Sequence, residues 1–127
     1  MQTFKQIITE RESNNVDAFI GLCLMSVTYM HSAHFATRSY SQHKAFEDFY
    51  KEMPDLIDVF TETHIGITGT YKPVLKTENN IDTVEYLRKI AVTGDEIYQS
   101  VDTSLKSVID QIKTLCYQTI YKITHFA

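Results

Sequence analysis

The chain has no tryptophan, only two prolines and only four glycines in 127 residues. Strands joined by tight turns draw on glycine and proline wherever the backbone reverses, so this scarcity argues against a turn-rich β fold and for helices. No run approaches the ~18 consecutive apolar residues of a membrane-spanning helix. The N-terminal MQTFKQIITERES also lacks the continuous apolar segment of a secretory leader. These absences predict a cytoplasmic protein with no membrane partner. Basic runs are missing too. The net charge is −4, with no lysine-rich stretch at either end, and phosphate contacts need clustered cations, which argues against tight DNA binding. Cysteine is sparse: Cys23 and Cys116 both fall on apolar helical stripes, which predicts two buried free thiols in a reducing compartment rather than a disulfide framework.

What is present is enough for one domain spanning residues 1–127, long enough to bury about two thirds of its extended-chain surface. The expectation is all-α. Residues 1–13 alternate apolar and charged groups, as a short leading helix or an arm. Ser13, Asn14 and Asn15 are cap candidates for a first helix from about 15 to about 37. A second helix is expected from a Ser41 cap to about Ile65, stopping at Gly66 and kinked at Pro54, where a backbone donor is missing. The segment GITGTYKPVLKTEN has no helical period and reads as a connection without a helix of its own. About thirteen extended residues reach some 45 Å and a twenty-five-residue helix is about 37 Å long, so this linker can carry a third helix back parallel to the second. The third helix is expected from Asn80 or Ile81, with a break or bend at Thr93-Gly94-Asp95. A fourth, capped by Asp102 or Thr103, carries the regular stripe Leu105, Val108, Ile109, Ile112, Leu115, Cys116, Ile120 and Ile123 to His125 or Phe126.

Chemistry concentrates between residues 31 and 62. On one helical wheel His43, Glu47, Asp58 and Glu62 fall at roughly 0°, 40°, 60° and 100°, beside an apolar arc of Phe46, Tyr50, Met53, Ile57 and Phe60. On the preceding helix the stripe Val16, Ile20, Cys23, Val27, Met30 steps next onto His34, with His31 close by. His43 and Glu47, at i and i+4, can reach one ion. Asp58 lies about 16 Å further along the axis, so a site using both pairs needs a second subunit packed antiparallel. The plainer alternative is a boundary face in which His43 caps or meets solvent and Asp58 and Glu62 pair with lysines. His64 and His125 lack a carboxylate at helical spacing and are expected at the surface or its boundary. The tyrosines are expected as core or interface aromatics.

The order His, His43-x3-Glu47, Asp58-x3-Glu62 resembles Dps-like miniferritins of the ferritin-like superfamily. HFATRSYSQHKAFEDFY is similar in particular to short Dps-like proteins of tailed bacteriophages. The resemblance is detailed over the first half of the chain and rests on helix pattern in the second. It leaves the early histidine open: His34 precedes an aromatic residue, whereas His31 has the usual twelve-residue interval. It implies a ferritin-like four-helix bundle with a long crossover between helices 2 and 3. It implies iron, or another divalent ion, held between subunits by His31 or His34, His43 and Glu47 of one chain and Asp58 and Glu62 of its mate. No catalytic group beyond these ligands is expected. A two-fold dimer at least, with a larger shell open, and ferroxidase activity at a complete site would follow. No Glu-x-x-His occurs anywhere in the chain, which excludes the intrasubunit di-iron arrangement. The alternative keeps the fold without the chemistry: a phage-encoded bundle acting on a host or virion protein.

Overall fold

The computed structural model describes residues 3–126. Among them are four α-helices, α1 (Phe4–Ala36), α2 (Tyr40–Thr68), α3 (Thr83–Ile97) and α4 (Thr103–His125), a 3-10 turn at Tyr98–Ser100, and no strand. The start of α2 meets the end of α4, where Gln42 Nε2 donates to the Ile123 carbonyl at 3.4 Å, so these helices are antiparallel. The end of α3 meets the start of α4, where Tyr98 donates to Asp110 at 3.4 Å. Two helices each antiparallel to α4 run in the same direction. The connection from 69 to 82, which holds no helix, is therefore a crossover joining parallel α2 and α3.

The core is built from the helical stripes. Phe19, Ile20, Cys23 and Met30 of α1, Phe49, Met53, Ile57 and Phe60 of α2, Leu87 and Ile90 of α3, and Ile109, Ile112 and Cys116 of α4 are all buried. Each large apolar side chain so buried contributes about 1.5–3 kcal/mol. Phe19 and Phe60 meet edge-on with centroids 5.2 Å apart. Residues 15–36 of α1 are long and apolar enough by composition to cross a bilayer. In the fold their apolar members are the core stripe. Both cysteines are free and buried, and burial pushes both thiols up.

Several boundaries differ from the sequence expectation. Helix α1 starts at Phe4, so Ser13, Asn14 and Asn15 lie inside a helix rather than capping one. Met1 and Gln2 of the expected leading segment lie outside the described residues. Helix α2 is capped by Ser39, not Ser41: its hydroxyl accepts from the Gln42 N–H. It runs through Gly66, which has open space around it, to Gly69 at φ +76°. There the Gly69 N–H reaches the Ile65 carbonyl at 2.7 Å, a left-handed cap open to a residue without Cβ. Pro54 lies inside the continuous α2. Helix α3 begins after an Asp82 cap and does not break at Gly94. That glycine is a packing device: a Cβ there would come within 3.2 Å of Ile109 and 3.3 Å of Phe19. Asp102 caps α4, one of the two residues expected.

Candidate metal centre

The turn between α1 and α2 is three residues long and densely bonded. The Thr37 N–H donates to Ala33 O at 3.0 Å, the Thr37 hydroxyl donates to Gln42 Oε1 at 2.8 Å, and the Ser39 N–H donates to Thr37 Oγ1 at 3.2 Å. This bonding fixes how the last turn of α1 faces the first turn of α2. Across it His34 Nδ1 donates to the His43 carbonyl at 2.8 Å, and His43 Nδ1 donates to the His34 carbonyl at 2.9 Å. The two imidazoles stack with centroids 3.5 Å apart.

A carbonyl oxygen only accepts, so each Nδ1 carries the proton of its ring. In the neutral rings that leaves both Nε2 lone pairs unprotonated. The second ring nitrogen donating to a carbonyl is the outer-shell arrangement found around metal-ligating histidines. One helical turn on, Glu47 joins them: ligating atoms of His34, His43 and Glu47 all lie within 4.8 Å of one another, with His34 buried and the other two half-buried. Among the described residues this is the one group of three or more His, Cys, Asp or Glu so placed. One carboxylate and two imidazoles form a mixed O/N donor set suited to first-row divalent ions.

Glu47 is not free of competitors. Lys44 Nζ lies 2.6 Å and Lys51 Nζ 3.7 Å from its Oε2. The hydrogen bond from Lys44 holds the Glu47 carboxyl below its usual range, so it stays ionised as pH falls. An ion would have to share this carboxylate with the lysines.

The remaining expected residues stand apart. His31 is outside the cluster, sandwiched between Tyr50 at 4.0 Å and Phe35 at 4.9 Å. Asp58 and Glu62 are exposed on α2, with no hydrogen bond or ion pair among the described residues. Two of the three acidic positions on the wheel thus point to solvent, open to another molecule. His125 is exposed beside Tyr121, as expected. His64 is not at the surface or its boundary. It is 4 % exposed, packed in the core near a buried Asp17 on α1. The carboxylate that spacing on α2 does not supply comes from the facing helix, and the signal was the stripe Met53, Ile57, Phe60, whose next step of four lands on residue 64.

A sequence profile described as "Family of unknown function (DUF5856)" matches residues 34–123. The chain belongs to that family. The DUF5856 match begins at His34, so it takes in His43, Glu47, Asp58 and Glu62 and leaves His31 outside. Across 124 residues the chain is 32% identical to an "Uncharacterized 14.6 kDa protein in mobD-ri intergenic region" of Enterobacteria phage T4, covering 95% of this chain and 97% of that protein. A phage protein is thus a relative over nearly its whole length. No solved structure matches the chain.

Proposed function

We propose that this DUF5856 member is a Dps-like, ferritin-like bundle that binds a divalent ion, ferrous iron as substrate in the leading case, at His34, His43 and Glu47. The observation that carries the reading is the reciprocal Nδ1–carbonyl pair, which leaves both Nε2 lone pairs unprotonated in the neutral rings. The parallel α2 and α3 with their long crossover support it, since ferritin-like bundles have that connection. Asp58 and Glu62, free at the surface, are the groups a two-fold mate would contribute. Ferroxidase activity of the Dps-like kind would need that second contribution, which completes the intersubunit ligand set.

A second reading is favoured by the apolar rim at the same end of the bundle. Phe35 is 73% exposed, Tyr40 77% and Tyr121 54%. Exposed aromatics at such density are characteristic of protein interfaces. On this reading the histidine pair only clamps the turn, and the rim docks a host or virion protein.

Calorimetric titration of Fe(II) without oxygen, with light scattering for size, separates the two. The metal reading expects stoichiometric binding that falls by one site per chain in the His43→Ala/Glu47→Gln double variant and is weakened at that site in Asp58→Asn/Glu62→Gln. Absence of binding by the folded wild-type protein overturns it and leaves the docking reading.

A further inference from the structure

A second polar cluster lies at the other end of the α1–α2 pair. Asp17 of α1 is 5% exposed and His64 of α2 is 4% exposed. Thr61, one helical turn before His64, turns its hydroxyl inward. Asp17 Oδ1, Thr61 Oγ1 and His64 Nε2 are each buried without a hydrogen-bond partner. A buried polar atom without a partner costs about 1–3 kcal/mol, so each of the three calls for a physical explanation. Asp17 is half engaged: its Oδ2 accepts from the Lys72 N–H of the crossover at 3.3 Å, leaving Oδ1 for the interior. No lysine or arginine among the described residues pairs with it. Burial lowers the His64 pKa, working against the nearby Asp17 charge.

The requirements of the three atoms converge. A carboxylate oxygen needs positive charge, an imidazole nitrogen without its proton offers a lone pair, and a hydroxyl oxygen can serve as a neutral third donor. One small cation meets all three. We propose that Asp17, Thr61 and His64 form a second, buried site for a divalent transition-metal ion, independent of the His34 centre and linking α1, α2 and, through Asp17, the crossover. About 17 residues of helix, or some 25 Å, separate Asp17 from His34, so neither site borrows the other's ligands. A carboxylate, an imidazole and a hydroxyl suit Mn(II), Fe(II), Co(II) or Zn(II) rather than calcium, which takes oxygen ligands alone. Its role is structural: an ion bound to the folded state alone raises stability by mass action.

The test removes the first centre and asks what remains. A His34→Ala/His43→Ala/Glu47→Gln variant, stripped with chelator, is titrated with Co(II) followed by its visible absorption. The expected result is one ion per chain, with visible bands and a higher melting temperature, both lost on adding His64→Gln. Failure of the triple variant to bind any Co(II) while it remains folded overturns the proposal, and does so whatever the His34 centre binds. Should the His64→Gln form not fold, imidazole nitrogen NMR of the folded triple variant decides: the His64 Nε2 resonance shifts strongly on Zn(II) addition if the site exists, and an unmoved His64 resonance overturns it.

Discussion

Gly21 of α1 and Val74 of the crossover lie in backbone contact: a Cβ at position 21 would overlap the Val74 carbonyl oxygen. The crossover has no helix of its own and is held by such contacts. Asp17 takes the Lys72 N–H, Gly21 admits Val74, and the Tyr29 hydroxyl accepts from the Glu78 N–H at 2.8 Å. The crossover thus follows α1 as a strap joining the parallel helices α2 and α3.

Gly21→Ala is therefore expected to destabilise the protein by about 1–3 kcal/mol, since the obstruction is backbone and neither helix nor strap can yield a side chain. Gly66→Ala is the control. It lies in the exposed interior of α2 with nothing within 4 Å, and the same change there is expected to stabilise by about 0.5–1 kcal/mol through helix propensity. Chemical denaturation of both variants checks the pair. Equal effects would mean that the strap does not rest on α1.

Much of this was legible in the sequence because it rests on local chemistry. The stripe of α4, the Asp102 cap and the length of the crossover follow from helical period and chain reach, and they locate the bundle and the parallel pair. Ser13-Asn14-Asn15 misled because cap residues mark a start only where the chain stops being helical, and here it does not. Gly94 misled in the opposite sense. Its missing side chain serves the packing of Phe19 against Ile109, a contact between three helices that no single-helix pattern contains. His34, His43 and Glu47 were legible as candidates from spacing. The histidine–carbonyl pairing that fixes their tautomers depends on the turn geometry and was not. The nearness of Asp17 to His64 was hidden for the same reason as Gly94, being a relation between helices.

Burial of His64 gives a pH dependence with a definite sign. Its folded-state pKa lies below the ordinary histidine value, so the unfolded chain takes up the proton first as pH falls. Stability is fully present above the unfolded value of about 6.5 and declines below it, through the lower folded pKa. With chelator present, the melting temperature of the wild type is expected to fall between pH 7 and 5 more steeply than that of His64→Gln. Parallel curves for the two proteins would show that His64 is not buried in its neutral form.

The lysines around Glu47 give the final prediction, and it runs against intuition for a site that loses a charged residue. Lys44 Nζ at 2.6 Å and Lys51 Nζ at 3.7 Å share Glu47 Oε2, and the same carboxylate is the one an ion at His34 and His43 would engage. Lys44 is exposed, so its ion pair is weak and screened, but its positive charge still competes with a cation for the same carboxylate. Lys44→Ala is therefore expected to tighten Co(II) binding at this centre about two- to fivefold, the range an exposed ion pair commands. The gain should shrink at high salt, where the wild-type pair is already screened. Glu47→Gln should abolish both the gain and most of the binding, because the amide offers no charge to either partner. A Lys44→Ala protein whose affinity is unchanged or weaker at low salt would mean that Glu47 is only an ion-pair partner on a helix surface, and the histidine pair only a clamp on the turn.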